Sequence, residues 1–219
     1  MRRAGILGCL LLLTVGATAT SVAARSPRLE HLALTPADNR LAAGAQVRRS
    51  DLAGIPPGWL PLSTSPDNTA PACPWQNYAR YTLTGRAEAD FQPTKVGHAG
   101  FVGSSVDILA TPADAIGKFT VDTHPGTAAC EAEALRKAFG RSLKTTSVHQ
   151  LKLDNLGNRA VGYSFAYEQP NGTPKRIYVT IIEFVEGRGI ATLSTTDFET
   201  NGSMTRRLTL AHLIDRRLR

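Results

Sequence analysis

No motif in this chain names a reaction. Its 219 residues contain no G-x-S-x-G nucleophile elbow, no H-E-x-x-H pair and no glycine-rich phosphate loop. The readily recognised serine hydrolases, zinc proteases and nucleotide-binding enzymes are thereby set aside. A triad drawn from distant residues leaves no such trace, so a secreted hydrolase stays as the alternative reading. The histidines, His31, His98, His124, His149 and His212, are dispersed, with no two four residues apart. No metal and no cofactor is expected. Long apolar runs are also missing. The best of them, Ile6 to Val15, falls short of the ~20 residues that span a bilayer, so no stable membrane span is expected. Repeats, low-complexity blocks and an internal domain boundary are absent as well.

The apolar run has a different use. Arg2-Arg3 precede it, and small residues follow it at Ala17-Thr18-Ala19 and Ser21-Val22-Ala23-Ala24. Residues 1–24 therefore read as a secretory signal peptide with several usable cleavage sites. A lipid anchor at Cys9 does not fit, because the apolar region should precede that cysteine and here follows it. Net charge is +7, and +5 once Arg2 and Arg3 are removed. The remaining basic residues are scattered, with their one cluster at the terminus, so nucleic acid is not an expected partner.

Cleavage removes Cys9 and leaves Cys73 and Cys130. In an oxidising compartment this pair is expected to form one disulfide, which on the chain-entropy model is worth about 4 kcal/mol. A metal pair or a catalytic thiol is the alternative. Neither cysteine has a C-x-x-C partner or a histidine beside it at ligand spacing.

What is present is a helix and strand pattern. Residues 25–34 read as a flexible leader and 35–219 as one domain. Thr35-Pro36-Ala37-Asp38 and Thr111-Pro112-Ala113-Asp114 are the same helix-start signature, a capping Thr, Pro at the first helical position and an acid after it. The first helix is expected to run on through Ser50, until Asp51 to Trp59 breaks it, where Pro56 and Pro57 forbid its continuation. Strands are expected at Tyr78–Phe91, His98–Leu109 and Ser147–Leu153, with a short edge strand at Trp59 and a bulge or close approach at Gly85. Thr127 opens a third helix that carries Cys130, and Ser203 caps a last one from Met204 to Leu218. Arg216, Arg217 and Arg219 suit the negative end of that helix.

The centre is Asn158 to Thr196, three apolar strands joined by turns at Asn171-Gly172 and Gly187-Arg188. Asn171 and Asn201 also begin glycosylation-type triplets, which are equally ordinary turn sequences. With Asn171-Gly172 as a two-residue turn, Phe165 pairs with Tyr178 and Val161 with Ile182. Tyr163, Phe165 and Tyr178 then share an aromatic face, and Glu183 lies on the opposite, small-residue face. The middle strand is apolar on both sides and must be covered on both. The fold class is accordingly α+β, an antiparallel sheet with a meander, covered by helices and held by one disulfide. The aromatic face suits a core or a pocket, so Tyr163, Phe165 and Tyr178 are candidate pocket residues. Glu183 is the acid in the most apolar strand. It either reaches water and pairs with an arginine, the commoner arrangement, or serves as the polar group of a ligand pocket.

Several segments together carry a family resemblance: DLAGIPPGW at Asp51 to Trp59, the Cys73 loop, Thr84-Gly85 in a strand, SSVDILATPADA from Ser104 to Ala115, and the helical Cys130. The chain resembles secreted actinobacterial domains related to the extracellular sensor domain of PknH-type kinases, and more loosely PsbP-like sandwiches. The resemblance covers most of residues 35–218. It implies helices on an antiparallel sheet, a groove for a ligand and no enzymatic activity. The chain departs from the pattern in having one cysteine pair where the kinase sensors have two, and neither a kinase, a transmembrane helix nor a lipid-anchor site. The expectation is a secreted, monomeric, sensor-like or ligand-binding domain. Its partner would be a small apolar or amphipathic ligand, or a protein of the cell envelope.

Overall fold

A computed structural model describes residues 31–53, 58–62, 73–94, 99–139, 143–172 and 174–219. The signal peptide, most of the leader, Pro56-Pro57 and Gly140 fall outside the described residues. The elements are β1 (His31–Leu32), α1 (Pro36–Ala45), a 3-10 turn (Arg49–Leu52), β2 (Trp59–Leu62), β3 (Thr82–Pro93), β4 (Ala99–Leu109), α2 (Pro112–Asp122), α3 (Thr127–Phe139), β5 (Lys144–Leu151), β6 (Arg159–Glu168), β7 (Arg176–Glu186), β8 (Gly189–Phe198) and α4 (Met204–Leu218). They build an eight-stranded sheet in the order β1-β3-β4-β8-β7-β6-β5, with β2 also on β3. All pairings are antiparallel except β1 with β3. Within the stretch expected to be a loose leader, His31 and Leu32 thus form a two-residue strand.

Both helix-start signatures act as written. The Asp38 and Asp114 backbone N–H groups donate to the Thr35 and Thr111 hydroxyls, at 3.1 and 3.0 Å. The first helix ends earlier than its pattern, at Ala45. Gln46 draws the chain inward, donating from Nε2 to the Ala87 carbonyl and accepting from the Ser104 hydroxyl. Gly85 sits at a register shift in β3, where a Cβ would strike the backbone of Asp38. The Cys73–Cys130 disulfide is present, with Cα atoms 6.0 Å apart.

The helices cover the sheet on both sides. One core packs α1 and α4 on Val106, Ile182, Phe184, Ala191 and Leu193. The other packs α2 and α3 on Tyr163, Phe165, Tyr167, Ile177, Val179 and Ile181. The middle strand β7 feeds both, as its two-sided apolarity requires.

The register of the β7–β8 hairpin is the expected one, with Phe184 opposite Ala191 and Ile182 opposite Leu193. Gly187, at φ 56°, takes the first central position, which only glycine fills without strain. The β6–β7 register differs by one residue: Phe165 faces Val179, and Ala166 faces Tyr178. The cause is the length of the connection: the Gln169 N–H donates to the Lys175 carbonyl at 2.8 Å, so five residues, an odd number, lie between the closing pair instead of two. A turn forms over Gln169 to Gly172, with the Gly172 N–H donating to the Gln169 carbonyl at 3.2 Å, which places Pro170 at the position its ring angle favours. Neither Asn171 nor Gly172 has the positive φ that a two-residue Asn-Gly turn demands. A one-residue slip exchanges faces. Tyr178 therefore leaves the side of Tyr163 and Phe165, and Glu183 joins it.

Candidate functional site

Glu183 lies where other charges collect, on the face it shares with Thr192 and Ser105, and the slip brings Tyr163 and Phe165 to that face. Asp107 on β4 accepts a bidentate pair from Arg86 on β3, at 2.7 and 2.9 Å. Lys118 reaches down from α2, 2% exposed, and lies 2.8 Å from Asp122 and 3.8 Å from Asp107. It also sits 4.9 Å above the Tyr78 ring. The Tyr78 hydroxyl donates to Asp122, so Asp122 takes the lysine on one oxygen and the phenol on the other. Glu183 hydrogen-bonds Asp122 as well, and Glu131 on α3 stands near both.

The local sequence explains how these groups meet. Lys118 and Asp122 are four residues apart on α2, hence on one helix face. Tyr78 is delivered by the segment after Cys73, which the disulfide ties to α3. The Trp75 ring stacks on His124 at 4.4 Å and closes over Gly126 at the entry to α3. The cysteine pair thus anchors one corner of the charged site.

The charges order the titrations. Burial alone would push the Asp107 carboxyl up, but the Arg86 and Lys118 charges hold it below the usual carboxylate range. Burial would lower Lys118, and the Asp122 and Asp107 carboxylates overcome it and keep the ammonium charged. Arg86 and Lys118 balance Asp107 and Asp122, which leaves no further cation for the two glutamates among the described residues. Burial, then the Asp122 charge, raises Glu131 to about 7. The same two causes push Glu183 well above its ordinary value, so it donates its proton toward Asp122. The far oxygens, Oε1 of Glu183 and Oε2 of Glu131, are buried and have no hydrogen-bond partner among the described residues.

The surrounding floor is polar. Opposed residues Glu88, Ser105, Thr192 and Glu183 form a row across β3, β4, β8 and β7. Glu88 is exposed and the other three are half-buried, whereas Val106, Ala191 and Ile182 one position along are fully buried on the other face. Tyr163 borders this row, 8% exposed, with its ring 6.3 Å from that of Phe165.

Of the expected pocket residues, Tyr163, Phe165 and Glu183 share this face, and Tyr178 does not. Phe165 is 0% exposed under the chain's own helices, and Tyr167 beside it donates to the Ala132 carbonyl of α3. Glu183 has no arginine partner; its neighbours are Asp122 and Lys118. Lys118 and Arg86 were not legible as site residues. The one signal was a lysine on the same α2 face as inward-pointing Ala115 and Phe119.

A small cleft of about 40 Å³ lies elsewhere, at the start of α4. Its walls are Trp59, Phe101, Val102 and Leu210, with Arg206 and Arg207 at one end. None of Tyr163, Phe165, Tyr178 and Glu183 lines it. Among the described residues no helix is long and apolar enough to cross a membrane, and no group of His, Cys, Asp and Glu is arranged to hold a metal.

No family model and no curated protein sequence matches this chain. Among solved structures it is similar to the extracellular domain of PknH from Mycobacterium tuberculosis, with a TM-score of 0.52 at 10% identity, over 82% of this chain and 95% of that one. At that identity the likeness is one of fold, and it supports the resemblance first carried by the helix signatures and cysteines.

Proposed function

We propose that the chain is an extracytoplasmic, non-enzymatic binding module of the sensor-like kind, and that its ligand seats on the α2–α3 face against Glu183 and Tyr163. One observation carries the reading: a half-open polar row crosses four strands and ends on Glu183, a carboxyl with one oxygen that has no hydrogen-bond partner among the described residues. Carboxyl and phenol oxygens beside an aromatic wall suit an amphipathic ligand with a donor-rich, positively charged group, such as a primary ammonium. Binding such a group discharges the Glu183 or Glu131 proton, so affinity rises with pH. The disulfide, the signal-peptide-like run at residues 1–24 and the fold shared with an extracellular domain support a place outside the cytoplasm.

Calorimetric titration with hexylamine tests this. The expected outcome is saturable binding that strengthens from about pH 6 to about pH 8 and weakens about tenfold in Glu183→Gln. Equal affinity in that variant removes the ligand role. A fluorophosphonate probe addresses the enzymatic alternative, and specific labelling of a serine would overturn the non-enzymatic reading.

A further inference from the structure

Charge on this molecule is segregated by layer. Residues 36–52, which make α1 and the 3-10 turn, carry three arginines and two acids, and residues 204–219, which make α4, carry five and one. Their joint surplus is +5, the whole net charge left once residues 1–24 are removed. The rest of that chain is balanced. Neither segment contains a lysine.

Both helices lie on one side of the sheet and touch each other. Arg217 straps them together, donating to the Gln46 carbonyl at 2.8 Å and to both Asp51 oxygens at 2.7 Å. Every acid of the layer is engaged in this way: Asp38 by Arg188, Asp51 by Arg217 and Asp215 by Arg219, at 2.7, 2.7 and 2.8 Å. Arg40, Arg48, Arg49, Arg206 and Arg216 are exposed and have no carboxylate partner among the described residues. Helix dipoles account for Arg48, which donates to the Gly44 carbonyl at the end of α1, and for Arg216 in the last turn of α4. They do not account for Arg40 or Arg49, and they oppose Arg206 in the first turn of α4. Leu41, 37% exposed, stands beside Arg40 on α1.

Solubility asks for charge anywhere on the surface. Here the surplus is confined to one layer, and to the cation whose planar fork takes two phosphate oxygens at once. Two helices in contact on a sheet present a face rather than a protruding reading element. That suits a plane of phosphates better than a nucleic-acid groove, and an exposed leucine suits a surface with hydrocarbon beneath its phosphates.

We propose that the α1–α4 face docks on a bilayer of anionic phospholipid, with Arg40, Arg49, Arg206 and Arg216 on its phosphates and Leu41 among the headgroups. This face is opposite the one that holds Glu183 and does not depend on the ligand proposed there.

The test sediments the secreted chain with vesicles of phosphatidylglycerol and phosphatidylcholine in equal parts, and with vesicles of phosphatidylcholine alone. Binding to the anionic vesicles should be about tenfold tighter or more, and should weaken as salt is added. The triple variant Arg40→Gln, Arg49→Gln, Arg216→Gln changes exposed residues, so its melting temperature should hold while vesicle affinity falls about tenfold or more. The triple variant Lys144→Gln, Lys152→Gln, Lys175→Gln removes the same charge from exposed positions outside the layer, and its vesicle affinity should stay within about twofold. Leu41→Ser should weaken vesicle binding about threefold. The proposal is overturned by equal binding to the two kinds of vesicle, by no loss in the arginine variant, or by equal losses in the arginine and lysine variants. It is also overturned if a double-stranded DNA oligonucleotide binds as tightly as the anionic vesicles and Leu41→Ser changes nothing, because the partner is then a nucleic acid. Hexylamine titration reads the Glu183 site separately from every one of these outcomes.

Discussion

On the α1–α4 face, strands β4, β8 and β7 present Val106, Ala191 and Ile182, each at 0% exposure. On the α2–α3 face the same strands, one residue along, present Ser105, Thr192 and Glu183. The backbone is common to both, so the difference lies wholly in side-chain choice on alternate positions. The first face removes apolar area from water and closes. The second holds Lys118, Asp107, Asp122, Glu183 and Glu131 in or near a low-dielectric layer, an arrangement that seldom gains stability over well-packed apolar residues. A surface that accepts this cost beside a half-open polar row is the better place to look for binding.

The sharpest way to break the contrast compares Phe184→Ala with Lys118→Met. Each should cost about 3–5 kcal/mol near neutral pH, the first by opening a cavity and the second by orphaning buried carboxylates. Urea unfolding across pH separates them. The Phe184→Ala loss should be constant, while the Lys118→Met loss should shrink as acid protonates Asp107. A pH-independent Lys118→Met loss would mean that the lysine contributes packing rather than charge.

Removing the disulfide by a double Cys73→Ser, Cys130→Ser change should cost about 2–5 kcal/mol. Because the bridge anchors the segment that delivers Tyr78, amide exchange should rise on α3 and around Tyr78 more than on α4. Uniform acceleration would detach the bridge from the charged face.

The pH dependence of the intact protein distinguishes the faces further. Glu131 is raised from 4.5 to about 7 in the folded state, by burial and then by the Asp122 charge. The unfolded chain binds the proton less well, so this stabilising contribution is full below the unfolded value and is lost as pH rises through about 7. The loss should be on the order of 3 kcal/mol, and Glu131→Gln should flatten it. In the opposite direction, Asp38 is held low by its hydrogen bonds from Arg188 and Thr84, and Asp107 by Arg86 and Lys118 against its burial. Their contributions are present above the unfolded value and fall away as pH drops through the folded one. Thermal melts across pH should therefore peak on the acid side of neutrality. The smallest effects belong to the caps: Thr35→Ala and Thr111→Ala should each cost about 1 kcal/mol without any pH dependence.

Local patterns carried much of the fold. The two Thr-Pro-Ala-Asp starts, the Ser203 cap, Gly187 in its turn and the cysteine pair each rest on interactions a few residues long or on simple parity. The candidate site was legible at Glu183, an acid conspicuous in an apolar strand, and at Tyr163 on the aromatic strand beside it. Its partners were not, because Arg86, Asp107, Lys118 and Tyr78 lie on separate elements, and each alone reads as an ordinary surface or core residue. Arg206 did leave a trace, as a cation at the wrong end of a helix.

The amino-acid sequence by itself determined the elements, the bridge and the need for cover on both faces of β7, because those follow from periodicity, capping and burial along the chain. Only the tertiary structure decided the register of β6 on β7, and with it that Tyr163 and Phe165 share the face of Glu183. Five residues lie between the closing pair Gln169 and Lys175 where an Asn-Gly turn would have two, and this change from an even to an odd connection shifts the register by one residue, which a strand pattern with period two converts into a change of side. The charges around Glu183 then met through the order of strands across the sheet, which no local preference encodes.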